Sequence, residues 1–179
     1  MNYISLFLIF IFSSCASLNE DQCKNGNWDI IGQRDGANGQ PLSVLEEHQK
    51  ACSEYEVKIN VAAYKKSRKR GLNQYCTGEN GFEVGQSGRA YHNVCKSKKF
   101  KKNYKIGRKI YVLEKEIEDL EEDNDDYESK IDTASATEKS YYRSKIRKNK
   151  KKIRKAESKL LIIKVSIAKS AVDFVDLLD

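Results

Sequence analysis

Residues 106–131 read IGRKIYVLEKEIEDLEEDNDDYESKI, and their apolar positions recur at alternating steps of four and three. This heptad spacing predicts a long helix with one packing seam. A second seam of the same period runs through residues 142–177. The small polar stretch 133–137 separates the two seams and offers Thr137 as the N-cap of the second helix. The sequence therefore predicts an antiparallel coiled-coil helical hairpin over residues 105–179.

The two seams fit one another when the chain folds back near Ser135. Leu120 then faces Ile153, and Asn124 faces Asn149. Two buried amides in one layer can satisfy each other by hydrogen bonding, whereas one amide facing an aliphatic side chain cannot. A shared asparagine layer also fixes the register of a coiled coil.

The charges of the predicted hairpin are segregated by helix. Acidic residues fill positions 116–126 of the first helix, and basic residues fill positions 145–155 of the second. We expect the two runs to neutralise each other side by side, so the net charge of +7 is a poor guide to partners. The apolar end of the second helix, residues 168–178, outruns the first helix and is expected to pack on the preceding module.

The N-terminus carries an export signal. The apolar run Ile4–Phe12 is too short to span a bilayer, and small residues and Cys15 follow it directly. This pattern is typical of a bacterial lipoprotein, with residues 1–14 as signal peptide, Cys15 as the lipid attachment site and residues 15–22 as an anchored linker. Ala16 after the cysteine favours an outer-membrane anchor facing the periplasm. The alternative is ordinary cleavage after Ala16, which would leave a soluble periplasmic or secreted protein.

Four further cysteines predict two disulfides, since an exported chain meets an oxidising compartment. Four cysteines allow three connectivities. A helical hairpin over residues 28–51 would bring Cys23 to Cys52, and Cys76–Cys95 would then close a glycine-rich loop at residues 77–88. No CxxC spacing is present, so we expect neither a metal site nor a cofactor. The predicted fold is mainly α, with a disulfide-stapled module at residues 23–104 before the hairpin.

Small residues recur on one face of the segment 28–39, at Gly32, Gly36 and Gly39. Interior glycine weakens a helix, so its repeated use favours a close helix crossing over an anion site. The segment 64–69 also resembles the segment 104–109, each with an aromatic residue three positions before a small one. This echo predicts two helices that pack through equivalent faces.

The order of these motifs resembles a known family. The residues that carry the resemblance are Trp28, Ile31, Gly32, Asp35, Gly36, Gly39, His48, Cys52, Tyr64, Gly71, Leu72, Tyr75, Cys76, Asn80, Gly81, Gly85, Gly88, Tyr91, Cys95, Tyr104 and Gly107. Together they are similar to the small bacterial lipoproteins of domain of unknown function 2799, over about residues 23–110. The resemblance implies an envelope lipoprotein of a Gram-negative cell and implies no activity.

No catalytic constellation is evident, so we expect a non-catalytic structural or binding module. Its expected partners are the membrane, through the N-terminal lipid, and another envelope protein, but not nucleic acid. Residues that could line a pocket are Trp28, Asp35, Tyr64, Arg89 and Tyr91. The alternative function is an envelope hydrolase or transferase acting on wall polymer or lipid, with Asp35, Arg89 and His92 near its site. His48 is expected to be a structural or surface residue.

Overall fold

The computed structural model describes residues 17–175, with side chains through residue 169, so the segment predicted to be a signal peptide and Cys15 lie outside the described residues. This part of the chain forms seven helices and no strand: α1 (Glu20–Lys24), α2 (Trp28–Ala37), α3 (Val44–Ser53), α4 (Val61–Tyr75), α5 (Gly78–Gln86), α6 (Lys98–Ile131) and α7 (Ala136–Val175). The predicted mainly α fold is confirmed. No helix within residues 17–175 has the length and apolar character needed to cross a membrane.

The chain divides into two units between Gln74 and Tyr75. The sequence placed a boundary at residue 105 instead, where the heptad seam begins. The division falls earlier because α6 begins at Lys98 and continues without interruption into the hairpin, so its first turns and its last turns belong to one element.

The first unit is built on the crossing of α2 and α4. A methyl group added at Gly32 or Gly36 would collide with the carbonyl groups of Tyr64 or Arg68, and one added at Gly71 would collide with the carbonyl of Gln33. The small residues are therefore required by close packing, as predicted. The core beside this crossing contains Leu18, Cys23, Ile31, Leu45, Cys52 and Tyr64. Residues 17–22, assigned to a linker from the sequence, thus contribute Leu18, of which 1% is exposed.

The second unit repeats this crossing with α5 and the start of α6. Methyl groups at Gly81 and Gly85 would collide with the carbonyls of Phe100 and Tyr104, and one at Gly107 would collide with the carbonyl of Phe82. The expected glycine-rich loop at residues 77–88 is wrong, because residues 78–86 are helical. Thr77 caps this helix by accepting a hydrogen bond from the Asn80 backbone N–H at 3.2 Å.

The two crossings correspond residue by residue. Gly32 packs on the carbonyl of Tyr64, and Gly81 packs on the carbonyl of Phe100 in the same way. Gly36 and Gly71 of the first crossing correspond likewise to Gly85 and Gly107 of the second. Both first helices end in a left-handed glycine, Gly39 (φ 67°) and Gly88 (φ 72°). We call these two crossings the first and second repeat.

Equivalent side chains also make equivalent hydrogen bonds in the two repeats. Arg68 donates to the carbonyl of Gln40, and its counterpart Tyr104 donates to the carbonyl of Arg89 at 3.3 Å. The predicted echo is therefore real, but its register is one helical turn away. Tyr64 corresponds to Phe100 and not to Tyr104.

Two disulfides staple these helices, one in each unit. Cys23 is bonded to Cys52 with a Cα–Cα distance of 5.3 Å, and Cys76 is bonded to Cys95 with a distance of 5.4 Å. The connectivity favoured by the sequence is confirmed.

The remainder of α6 and α7 form the predicted antiparallel hairpin. Leu120, Ile153, Asn124 and Asn149 are all buried, and the ring centroids of Tyr127 and Tyr142 lie 5.8 Å apart. The N-cap at the start of α7 is Ser135 and not Thr137. Ser135 donates its backbone N–H and its hydroxyl to the Glu138 carboxylate, at 2.9 and 2.6 Å.

The predicted charge pairing between the hairpin helices is sparse. Among the described residues only Lys150–Glu128 and Lys164–Glu114 join α7 to α6, at 3.6 and 3.1 Å. Other acidic residues pair within α6, for example Asp126 with Lys130. The long side chains reach the next turn of their own helix as easily as the neighbouring helix. The packing predicted for residues 168–178 lies mostly outside the described residues.

Candidate functional site

A chain of hydrogen bonds runs through the core of the first unit. Asp35 on α2 and His48 on α3 are 4% and 3% exposed, and Tyr64 on α4 is fully buried. The Tyr64 hydroxyl donates to Asp35 Oδ2 at 2.8 Å, and His48 Nε2 lies 2.9 Å from the same oxygen. Beyond the imidazole, His48 Nδ1 lies 2.9 Å from Ser17 Oγ. We call these four residues the polar network.

Helix geometry puts each member in place. Asp35 lies one turn from Gly32 on the face of α2 that crosses α4, and Tyr64 lies on the opposing face of α4. His48 follows Leu45 by three residues and precedes Cys52 by four, so all three share the buried face of α3. The Cys23–Cys52 disulfide then fixes α3 beside α1.

Hydrogen bonding sets the ionisation of the network. Burial alone raises the pKa of Asp35, but the hydrogen bonds from His48 and Tyr64 favour the carboxylate more strongly, so its pKa lies below the usual range. Arg34 adds a weaker contribution, with its Nε 3.5 Å from Asp35 Oδ1. Burial, helped by the hydrogen bond to Asp35, raises the pKa of the Tyr64 hydroxyl. The site therefore holds an ionised carboxylate beside a neutral phenol.

The carboxylate, imidazole and hydroxyl stand in the order that serine hydrolases use to activate a nucleophile. An ionised Asp35 can only accept, so His48 donates from Nε2. Its other nitrogen, Nδ1, is the one that faces the Ser17 hydroxyl. The near-complete burial of Asp35 and His48 leaves no room for a substrate at the imidazole. Only Ser17, which is partly exposed, could meet a ligand.

The polar network is absent from the second repeat. Val84 stands at the position of Asp35 and Phe100 at that of Tyr64, and both are buried. The Tyr91 ring packs on Phe100 with centroids 4.9 Å apart, much as His48 packs on Tyr64 at 6.0 Å. An apolar core therefore suffices for this helix crossing, and the polar network is a specialisation of the first repeat.

The pocket residues predicted from sequence fall in both units. Asp35 and Tyr64 are in direct contact, and Trp28 packs against the first core. Arg89 and Tyr91 belong to the second unit, where Arg89 Nε donates to Ser87 Oγ at 2.9 Å. The Tyr91 hydroxyl bridges the backbone N–H and carbonyl of Cys95.

His48 was expected to be a structural or surface residue, and it is buried, but its link to Asp35 was not predicted. The spacing of His48 from Leu45 and Cys52 was the available signal, because it places the imidazole on an otherwise buried face. Nothing in the sequence marked Ser17. Among the side chains that the structure describes, residues 17–169, no group of three or more metal-ligating residues could hold an ion.

Comparison with known proteins adds a match to a family model and no activity. Residues 27–109 match the family described as protein of unknown function (DUF2799). This segment confirms the resemblance drawn from the sequence, and it contains both repeats. No curated protein and no solved structure matches the chain.

Proposed function

We propose that this protein is a non-catalytic lipoprotein of the cell envelope, anchored through Cys15 in the outer membrane and facing the periplasm. Its first unit would be held directly at the membrane surface. The observation that carries this proposal is the burial of Leu18, three residues after Cys15, together with the bond from Ser17 to His48. Three residues span at most about 10 Å, so a lipid on Cys15 leaves almost no free tether.

The polar network has a role in this arrangement. The polar network contacts the hydroxyl of Ser17, which is the described residue nearest to Cys15. The second repeat, which has no proposed anchor beside it, lacks such a network. We propose that the network fixes the path of the chain from the lipid into the folded unit. The helical hairpin would then present a surface to another envelope protein, and nucleic acid is not a partner in this proposal.

The anchor is tested by the mature N-terminus. Mass spectrometry of the protein purified from envelopes should find an acylated peptide beginning at Cys15, and Cys15→Ala should release the chain from the membrane fraction. A mature chain beginning at Ser17 would support the soluble alternative and refute the anchor. Ser14→Thr, which leaves Cys15 in place, is the matched control and should remain with membranes.

The second candidate is an envelope hydrolase or transferase acting on wall polymer or lipid. The observation that favours it is the relay from Asp35 through His48 to Ser17. Turnover of wall fragments or phospholipid that disappears in Ser17→Ala, and persists in Ser43→Ala, would establish this function and overturn the non-catalytic proposal. Ser43 is an exposed serine that makes no side-chain cap bond at the start of α3.

A further inference from the structure

The two repeats share three lysines as well as their small residues. In the structural register, Lys65, Lys66 and Lys69 of α4 correspond to Lys101, Lys102 and Lys105 of α6. The matching segments read YKKSRKRG from residue 64 and FKKNYKIG from residue 100. The aromatic and small positions are explained by the crossing. We call each set of three lysines a lysine face.

Packing does not explain the lysine faces. All six side chains are exposed, and none makes an ion pair with a carboxylate among the described residues. The pairs at spacing i, i+4 and i, i+3 repel one another, which costs a helix a few tenths of a kcal/mol each. Other exposed positions differ between the repeats, as where Asn73 corresponds to Lys109. A shared ligand accounts for lysines that persist where the fold does not need them.

The surrounding sequence strengthens the charge of both faces. Residues 57–78 contain six cations and no acidic residue, and residues 84–113 contain nine cations and no acidic residue. The basic run of α7 differs, because it lies beside the acidic positions 116–126 of α6. The uncompensated positive charge of the chain is thus concentrated in the repeats.

We propose that the lysine face of each repeat binds the phosphate headgroups of an anionic phospholipid membrane. Three flexible ammonium groups at i, i+1 and i+4 supply point charges without the planar fork that arginine uses to select one ligand geometry. Such a face suits a surface of laterally mobile phosphates. The inference rests on the proposed lipid anchor, since a tether of about 10 Å would hold the first repeat where those headgroups are concentrated.

The experiment measures binding to vesicles without the anchor. The mature chain, which begins at residue 15 and carries Cys15→Ser, is mixed with vesicles of phosphatidylglycerol and phosphatidylcholine, or of phosphatidylcholine alone, and sedimented at increasing salt. The variants replace one lysine face with glutamine, at Lys65, Lys66 and Lys69 or at Lys101, Lys102 and Lys105. The matched control replaces Lys151, Lys152 and Lys155, three exposed lysines with the same spacing on α7.

Each lysine near an anionic surface contributes about a fivefold change in partitioning, so losing the three lysines of one face should weaken binding by roughly 100-fold. We expect the control to lose less than about threefold, because its charges lie beside the α6 carboxylates. Binding should fall steeply with salt and be weak on phosphatidylcholine vesicles. Circular dichroism should show that all three variants keep the parent helix content.

Several results would overturn the proposal. Equal losses in the face variants and the control would show that net charge alone drives binding, and unchanged binding of the face variants would exclude the faces. If the face variants instead abolish self-association in the absence of vesicles, the lysine faces bind the acidic positions 116–126 of a second copy, and the membrane proposal is wrong. Because Cys15 is absent from every protein used, these results are independent of whether the native chain is lipidated.

Discussion

Replacing Asp35 with valine should destabilise the first unit, and replacing Tyr64 with phenylalanine as well should restore part of the loss. These residues are the ones that the second repeat carries at the same positions, as Val84 and Phe100. Asp35→Val alone leaves the Tyr64 hydroxyl and His48 Nε2 buried without their acceptor. Each buried donor left without an acceptor costs about 1–3 kcal/mol, so we expect the free energy of unfolding to fall by roughly 2–6 kcal/mol.

The second substitution has opposite effects in the two backgrounds. In the parent protein, Tyr64→Phe removes a hydrogen bond to a charged group and should cost about 1.5–3 kcal/mol. In the Asp35→Val background the same change removes a stranded hydroxyl and should recover about 1–3 kcal/mol. A reversal of sign in a double-mutant cycle is the signature of two groups that are satisfied only by each other.

The assay is urea unfolding followed by tryptophan fluorescence. Trp28 is the only tryptophan of the chain and packs against the first core, so its emission reports on the first unit. Asp29→Val is the control on the same helix. It removes an exposed carboxylate that pairs with Arg70 at 3.1 Å and should cost no more than about 1 kcal/mol. Additive effects of Asp35→Val and Tyr64→Phe would show that the two side chains do not satisfy each other.

The pH dependence supplies a second readout of the same residue. Because the folded pKa of Asp35 lies below its ordinary value of 3.8, its ionised form stabilises the fold fully above that value. This contribution is lost as the pH falls below 3.8 and through the folded pKa. The groups that face the carboxylate are His48, Tyr64 and Arg34. The loss of stability between neutral and acidic pH should therefore be smaller in Asp35→Val than in the parent chain.

Three further predictions concern the second unit. Gly85→Ala should lower its thermal stability by about 1–3 kcal/mol, because a methyl group there meets the carbonyl of the crossing helix, and an unchanged melting temperature would contradict that contact. Asn124→Leu and Asn149→Leu should each raise the stability of the hairpin by about 1–3 kcal/mol, since Oδ1 of Asn124 and Nδ2 of Asn149 are buried without partners. A loss of stability in either single variant that the double variant restores would show that the two amides are hydrogen-bonded to each other. Replacing Cys76 and Cys95 together with alanine should cost about 3 kcal/mol in urea unfolding under oxidising conditions, and equal stability with and without the disulfide would contradict the loop-closure argument.

The hairpin shows what periodic patterning can and cannot predict. Heptad spacing placed both long helices and put Leu120, Asn124, Asn149 and Ile153 in the buried seam, because burial of a stripe depends on period alone. The hydrogen bond expected between the side-chain amides of the two asparagines is not formed. Seam positions specify which residues face inward, whereas a hydrogen bond also depends on rotamers that the sequence does not encode locally.

The glycine-rich segment shows a different limit. Four glycines within residues 77–88 favour a loop on intrinsic propensity, since each costs a helix about 1 kcal/mol relative to alanine. The segment is helical because those glycines let α5 approach α6 to backbone contact, so tertiary packing offsets the local cost. The equivalent glycines of α2 were placed in a helix by the sequence analysis. An alignment of the two segments on their glycines would have predicted a helix for α5 as well.

Only part of the polar network could be predicted. Asp35 and Tyr64 were grouped in one candidate pocket, and they are in contact. His48 and Ser17 were not linked to them, because the four residues are far apart in sequence. Ser17, Asp35, His48 and Tyr64 come from four separate segments, and only the crossing of α2 with α4 and the disulfide between α1 and α3 bring them together. The second repeat builds the same crossing on Val84 and Phe100, so folding alone does not require a buried carboxylate there. What distinguishes the first repeat is the chain that enters it from Cys15. A network that ends on Ser17 holds the first described residue of the chain against the first unit. Under the proposed anchor at Cys15, that attachment would decide which face of the unit meets the membrane.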